Sequence, residues 1–298
     1  MSFPRFAPPF VHVAKQVGTA LVGAAACAAA WVVPPAAALA QQSDPRSRDY
    51  LFITNADDVR ALWVNPAGLG FVPEASVMAE AAVDRTNGWV KLSQYTLGLN
   101  SRGLGLAYQR DRSRDSVSLG VVRIGLGLPV GRGSIGAAMS SYGRGRQQGY
   151  DLGLRYPLLA GLQAGLVVRN INRPQPVFQE GRQPIVTVAG ATWTIAPQLA
   201  NVSAEAIAVE RLGTESGFDM RYRGGFVVRS RRPWPAALHA AALVTSHGTL
   251  RQWSLGLVIG GLDRAGLVAS ASPTTGLGEP QRFSAVGVAS RRAPGAAP

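Results

Sequence analysis

Residues that could support chemistry are few in this sequence of 298 residues. The stretch GRGSIG at 131–136 fits the G-x-G-x-x-G pattern of dinucleotide-binding turns, and Asp151 follows where a ribose-binding acid would stand. That mechanism needs the glycines to open a helix whose N-terminus holds the pyrophosphate. The residues after Gly136 carry further glycines and no helical periodicity. A hairpin turn between two strands is therefore the better interpretation.

Other catalytic and metal-binding patterns are also lacking in the sequence. His12, His239 and His247 are its three histidines, and none has the spacing of a metal ligand relative to other candidate ligands. There is no G-x-S-x-G motif, and Cys27 is the single cysteine. We therefore predict no catalytic residue, no metal site and no cofactor, and we expect that the protein is not an enzyme.

The N-terminal residues resemble an export signal. Arg5 and Lys15 are the only charges before the apolar stretch 17–33, and an A-x-A sequence follows at 38–40. This order is typical of a cleavable signal peptide, which we assign to residues 1–40. A transmembrane anchor and a lipoprotein signal ending before the single cysteine are the alternatives. We expect an exported protein in the outer membrane of a bacterium.

The remaining chain is strongly basic. Of the 30 basic residues, Arg5 and Lys15 belong to the signal, so 28 basic and 17 acidic residues leave a formal charge of +11. In an exported protein this charge favours contact with outer-membrane lipid and lipopolysaccharide, or charges lining a pore, rather than nucleic acid. We expect such lipids as partners, with a hydrophobic small molecule or an envelope protein as further candidates.

A period of two runs through the chain from Ser76 onward. In the hairpin YTLGL-NSRG-LGLAYQR, Leu104, Leu106 and Tyr108 share one face, whereas Gly105 and Ala107 share the other. Fourteen such runs lie near 76–84, 89–99, 103–110, 116–128, 133–142, 148–156, 161–170, 184–195, 200–210, 218–229, 236–245, 250–260, 263–271 and 281–290. In the fourth run the phase changes at Val121 and Val122, which predicts a β-bulge.

This pattern predicts an all-β protein, an antiparallel membrane β-barrel of about fourteen strands. Strands of about ten residues with one apolar face and one small or polar face are typical of outer-membrane barrels. A soluble β-sandwich or a lipocalin-like barrel is the alternative, with its apolar face turned inward. We place the barrel at 76–290, an N-terminal plug segment at 41–75 and a disordered tail at 291–298.

The predicted faces of the strands divide the charged and apolar residues. In the run at 250–260, Trp253, Leu255 and Leu257 should face lipid, and Gln252 and Ser254 should face the lumen. Charges in a polar lumen can be paired or hydrated, which lowers the cost of burying them. The predicted lumen-facing charges are Asp151, Arg155, Glu205, Asp219, Arg221 and Arg223.

One short helix is predicted ahead of the strands, in TNADDVRALWVNPAGLG. Asn55 suits an N-cap, Asp57 and Asp58 suit a first turn, and Pro66 would end the helix. The wall arginines Arg155, Arg221 and Arg223 are expected to compensate the two aspartates. The alternative is a flexible lead-in outside the barrel.

The stretch that runs into Asn65-Pro66-Ala67-Gly68-Leu69 resembles the start of FadL-like fatty-acid transporters and PorV/PorQ barrels. A weaker similarity lies in ERLGTESGFDMRYRGGF, where it involves Arg223 and Gly225. The resemblance implies a fourteen-stranded outer-membrane barrel, with Asn65, Pro66, Ala67 and Gly68 as a plug motif. We expect a porin-like passive channel for small hydrophobic molecules, or alternatively a non-transporting scaffold for an envelope secretion or processing system.

Overall fold

The structure is a computed structural model. It describes residues 47–71, 74–86, 89–112, 118–143, 147–175, 182–197, 199–213, 216–230, 235–259, 265–272 and 282–292. The predicted signal peptide at 1–40, the first residues of the predicted plug segment and residues 293–298 of the predicted tail lie outside these ranges.

Within the described residues, the chain forms three short helices and fourteen strands. The helices are α1 (Ser47–Tyr50), α2 (Ala61–Val64) and α3 (Gly68–Phe71). None of the helices in this part of the chain is long and apolar enough to cross a membrane. The strands are β1 (Glu74–Thr86), β2 (Trp89–Ser101), β3 (Leu104–Arg112), β4 (Ser118–Val130), β5 (Gly133–Tyr142), β6 (Gln147–Leu159), β7 (Leu162–Arg169), β8 (Val186–Ala196), β9 (Ala200–Glu210), β10 (Phe218–Ser230), β11 (Ala236–Thr245), β12 (Leu250–Ile259), β13 (Ala265–Ser272) and β14 (Arg282–Arg292).

The strands close into a single antiparallel barrel. Each strand pairs with its neighbours in the chain, and β1 pairs with β14 from Glu74 opposite Arg292 to Asp84 opposite Arg282. The predicted fold class, an antiparallel barrel of about fourteen strands, is confirmed. The last strand continues to Arg292 rather than ending at residue 290.

Large apolar side chains face away from the lumen. Leu104, Leu106 and Tyr108 of β3 are exposed, whereas Gly105 and Ala107 between them are buried. In β12, likewise, Leu255 and Leu257 are exposed and Ser254 is buried. This is the reverse of a soluble barrel, whose apolar face would lie inside. The outward face therefore matches a surface in contact with lipid.

The connections differ between the two ends of the barrel. At the end where β1 begins, called the turn end, short connections at 102–103, 131–132 and 160–161 join the strands. At the opposite end, called the loop end, the connections include 170–185 and 211–217. The glycine-rich stretch at 131–136 forms the β4–β5 hairpin, where Gly131 has φ of +58°. The predicted hairpin is confirmed at this position.

The β-bulge predicted at Val121 and Val122 is wrong. The pairing of β4 with β3 and with β5 shows no register shift there. Val121 instead faces inward and is fully buried in the same apolar cluster as Leu62 and Trp63. An apolar residue appears on the inward face because it packs against another part of the chain, not because the strand changes phase.

Residues 47–71, called the luminal segment, lie in the lumen and supply ten of the 21 buried residues that the structure describes in its apolar core. Tyr50, Phe52, Leu62 and Trp63 are almost fully buried there, and Val188 of the barrel wall belongs to the same core. The barrel is therefore hydrophobic on its outside and again at its centre, and the strands separate the two.

The helix predicted to begin after Asn55 is shorter in the structure, where α2 covers only Ala61–Val64. The Asn55 side chain accepts a hydrogen bond from the Phe52 backbone at 2.7 Å, and Asp58 accepts one from the Arg60 backbone at 2.8 Å. These side chains therefore stabilise turns, a role that competes with helix formation. Pro66 follows α2 as predicted, but α3 then precedes the first strand.

Candidate functional site

Inward-facing glycines let the luminal segment contact the barrel wall directly. A side chain at Gly136 of β5 would collide with the Pro66 backbone, and one at Gly153 of β6 would collide with the Asn65 amide. The same close approach brings Gly98 against Val59, Gly125 against Leu62 and Gly225 against Phe52. The wall is thus shaped to this segment, since any larger residue at these positions would displace it.

Asn65 and the residues after it lie at the centre of these contacts. Asn65 is fully buried, and its Nδ2 donates to the Ile53 carbonyl at 2.9 Å and to the Leu154 carbonyl of β6 at 3.1 Å. Its Oδ1 accepts from the Ala67 backbone at 3.1 Å. Pro66, Ala67 and Gly68 are buried beside it. Asn65 therefore joins two parts of the segment to the wall.

Arg223 and Glu205 form a charged clamp on the first residues of the segment. They lie opposite each other on β10 and β9 and form an ion pair at 2.7 Å. Arg223 also donates to the Leu51 carbonyl at 2.6 Å and to the Arg48 carbonyl. Glu205 accepts from the Ile53 backbone at 2.6 Å. Each charge is therefore balanced both by its partner and by backbone groups of the segment.

Asp151 of β6 is paired with Arg123 of β4, and both are buried. Arg123 also donates to Ser140 at 3.1 Å, and its guanidinium lies 5.0 Å from the centre of the Trp63 ring. Asp151 accepts from the Asn170 backbone at 2.9 Å. This second charge pair connects α2 to the wall through a cation–π contact.

Arg155 of β6 contacts the luminal segment at two places. It donates to the Ala56 carbonyl at 3.3 Å, and its guanidinium lies 3.9 Å from the centre of the Phe71 ring. Its other hydrogen bonds go to the Gln163 side chain, the shorter at 2.6 Å. Asp57 also interacts favourably with its charge. The predicted compensation of Asp57 by Arg155 is therefore present in the structure.

Asp58 is not compensated by the wall arginines, contrary to the prediction. It pairs with Arg60 inside the luminal segment at 2.5 Å, and both side chains are buried. Burial lowers the pKa of Arg60, but the charge of Asp58 and its hydrogen bond more than offset this, so the pKa lies above its ordinary value. The pair is a local i, i+2 contact, which holds the turn before α2.

Asp219 and Arg221, the last of the predicted lumen-facing charges, pair with each other along β10 at 2.9 Å. Their side chains are 39% exposed, far more than those of Arg223 and Glu205. Of the six predicted charges, the other four contact the luminal segment directly or through a paired arginine. Arg221 borders the open space at the loop end, and Asp219 is its partner.

A cavity of about 420 Å³ occupies the lumen between the luminal segment and the loop end. Trp63 and Val64 form its floor, and Asn170 and Gln183 of the β7–β8 connection lie at its rim. Gln252 of β12 also borders it and donates to Asp49 at 3.2 Å. The luminal segment therefore forms one side of the cavity and occupies the lumen beyond it.

Several of the residues that build this lumen were not identified from the sequence. Arg123 lies in the middle of a strand, between outward-facing Val122 and Ile124, and this placement is the signal that could have marked it as luminal. Arg48 and Arg169 donate to the carbonyls of Trp63 and Val64, each within 2.8 Å. These two contacts depend on tertiary structure and leave no local pattern.

Two solved structures share this architecture. The monoaromatic hydrocarbon channel CymD has a TM-score of 0.57 and 12% identity, over 84% of this chain and 97% of that one. The toluene transporter TodX of Pseudomonas putida has a TM-score of 0.51 and 11% identity, over 82% of this chain and 96% of that one. The chain has the fold of an outer-membrane channel barrel. The FadL-like resemblance is thereby supported at the level of the fold.

No protein-family model and no curated protein matches the chain. The two solved structures therefore establish the architecture of the chain alone. Among the described residues, no group of three or more histidine, cysteine or acidic side chains is placed to hold a metal ion.

Proposed function

We propose that this protein is an exported channel of the bacterial outer membrane, closed in the present conformation by its luminal segment. The supporting observation is an outward apolar wall around a lumen that holds a separate, hydrogen-bonded stretch of the same chain. The outward face suits contact with the lipids of that membrane. The wall side chains that hydrogen bond to the segment can form hydrogen bonds with water instead when the segment moves. In this proposal residues 47–71 act as a plug.

The solute we propose is a small, largely hydrophobic molecule. The cavity above the segment carries a patch of four apolar side chains on β8 and β9, Val186, Val188, Ile207 and Val209. The hydrocarbon channel and the toluene transporter that share the fold support the same class of solute. Toluene is therefore a suitable first probe.

A reversible cross-link tests whether the luminal segment must move. The hydroxyls of Thr54 in the segment and Thr192 in β8 are hydrogen bonded to each other, so cysteines at these positions would be near disulfide distance. The chain without its signal peptide has no other cysteine. Proteoliposomes with the double variant should take up toluene when reduced and should lose that uptake when oxidised.

The single variant Thr54→Cys is the control, and its uptake should be the same under both conditions. Equal uptake by the oxidised and reduced double variant would show that the segment does not close the path. Absence of uptake in the wild type and in the reduced variant would count against a channel altogether.

A scaffold without transport is the second candidate. The observation that favours it is the number of independent ties between the segment and the wall, including the clamp of Arg223 and Glu205. A scaffold predicts no uptake by the wild type or by Glu205→Gln, in which the clamp is weakened. It also predicts that one envelope protein is recovered with the barrel in a fixed ratio from native membranes.

A further inference from the structure

The cavity at the loop end is lined by more positive than negative charge. Six guanidinium groups border it, compared with three carboxylates, Asp49, Asp151 and Glu205. Two further carboxylates, Asp219 and Asp84, pair with Arg221 and Arg282, so the positive groups exceed the negative ones by one. The guanidinium groups belong to Arg48, Arg123, Arg169, Arg221, Arg223 and Arg282. Because a cleft with an excess of one sign of charge raises the local concentration of the opposite ion, such an excess selects the solute as it does in ion-selective pores.

The side chain of Arg221 is more accessible than those of Arg123, Arg223 and Arg282. Its side chain is 39% exposed, compared with 13% for Arg223, which is committed to the clamp. The partner of Arg221 is Asp219, which lies on the same strand and is equally exposed. A pair of this kind is weak, because solvent screens it and both side chains can rotate. Arg221 can therefore turn toward a solute at small cost.

An apolar patch lies in the same cavity. Val186 pairs with Val209 across β8 and β9, and Val188 pairs with Ile207 in the next inward-facing position. The four side chains form a continuous square on the wall, because positions two residues apart on a strand share a face. Val188 is itself packed in the core, so Val186, Ile207 and Val209 supply the accessible surface of the patch. This surface can hold a ring or a short branched chain, and a volume of about 420 Å³ is adequate for such a ligand.

We propose that this cavity binds a small organic anion, with its apolar body on the β8–β9 patch and its negative group at Arg221. The inference deepens the channel proposal and, as a statement about the transported solute, rests on it. A cation would be repelled by the excess of arginines. A neutral hydrocarbon such as toluene would occupy the same apolar patch, but without the charge-assisted hydrogen bond to Arg221 that an anion adds.

Three probes of one shape and different charge test the proposal on the purified full-length protein in detergent micelles. Benzoate, benzyl alcohol and benzylamine are titrated by calorimetry at neutral pH. We expect benzoate to bind about tenfold more tightly than benzyl alcohol, since a charge-assisted hydrogen bond to arginine adds about that factor. Benzylamine should bind least. Equal binding of the three probes, or preference for benzylamine, would overturn the proposal.

The variants Arg221→Gln and Arg251→Gln remove the same charge at two different places. Arg251 is exposed on the outward side of β12 and does not border the cavity. Benzoate affinity should fall about tenfold in Arg221→Gln and remain unchanged in Arg251→Gln. Equal losses in both variants would mean that only the overall charge matters, and the assigned site would be wrong.

Uptake by proteoliposomes separates this inference from the channel proposal. Uptake of benzoate in preference to benzylamine supports both. Binding of benzoate without any uptake would overturn the channel and leave the anion site in place. Uptake of all three probes at equal rates would overturn the anion site and leave the channel in place.

Discussion

The two halves of the lumen differ in the side chains that their walls carry. Toward the turn end, the wall carries glycines, and apolar residues of the luminal segment fill the space they leave. Toward the loop end, the wall carries arginines and a small apolar patch, and a cavity remains. Backbone can approach backbone only where side chains are absent, whereas long charged side chains need space and water.

The comparison separates the half of the lumen that the luminal segment occupies from the half that, in our proposal, recognises a solute. Tight contacts at Gly136 and Gly153 give the segment one fixed position. The open half offers groups that can change partners, such as Arg221. The following changes test this division, in order of decreasing expected effect.

Replacing Glu205 with alanine should have the largest effect. It leaves Arg223, whose side chain is only 13% exposed, without its carboxylate and removes the acceptor of the Ile53 backbone. The free energy of unfolding should fall by about 3–5 kcal/mol, measured by urea titration in lipid vesicles. The matched change Asp219→Ala, at the half-exposed pair on the adjoining strand, should cost at most about 1 kcal/mol. Similar losses in the two variants would contradict the division.

An arginine at Leu255 should be the next most costly change. Leu255 lies near the centre of β12 and is 48% exposed on the outward face. The loss should be about 2–4 kcal/mol in lipid vesicles, because a charge is placed among hydrocarbon chains. An arginine at Val209, which borders the cavity, should cost less. A larger loss at Val209 would mean that inside and outside have been exchanged.

Adding a methyl group at Gly153 should lower the stability by less than the two changes above, and the effect should be confined to the contact between β6 and the luminal segment. Its Cβ would collide with Asn65, so Gly153→Ala should lower stability by about 1–3 kcal/mol. Gly224→Ala is the control, because an added Cβ there meets no atom within 4 Å and alanine suits a strand better than glycine. If Gly153→Ala were as stable as Gly224→Ala in the same urea titration, the segment would not be held against β6.

Thiol labelling should show the smallest perturbation, since each substitution adds a single sulfur atom or replaces an oxygen with one. Cysteines at Ala61 and Ala67 replace fully buried side chains of the segment, and a bulky water-soluble maleimide should label them slowly. A cysteine at Ser246, exposed in the β11–β12 turn, should be labelled rapidly. Rapid labelling at all three positions would show that the segment leaves the lumen readily.

The fold was predictable because lipid and lumen impose different residues on alternate positions. Large apolar residues such as Leu104 and Leu106 mark the outward face, and the period of two then gives the strand count. The incorrect prediction of a bulge at Val121 and the correct prediction of the strands both came from the alternation of residues. An apolar residue on the inward face breaks the pattern only because the luminal segment supplies an apolar partner there.

The site was less predictable, because its contacts join parts of the chain that are distant in sequence. Strand alternation predicts that Asp151, Arg155 and Arg223 face the lumen. It does not predict which groups they bind. Asp58 illustrates the limit, since its partner is Arg60, two residues away, rather than an arginine of the wall. The cavity likewise depends on how far the segment reaches into the barrel, and no local pattern encodes that distance.

The seam between β1 and β14 has a consequence for how the molecule forms. Thirteen of the strand pairings join neighbours in sequence and can form as local hairpins, whereas this one joins the first strand to the last. Asp84 and Arg282 approach each other across the seam at 3.5 Å. Closing so long a loop is slow, because chain entropy is lost before any contact compensates it. The luminal segment directly precedes β1 in the chain. When β1 pairs with β14 and the barrel closes, the barrel therefore encloses a segment that is covalently attached to its first strand.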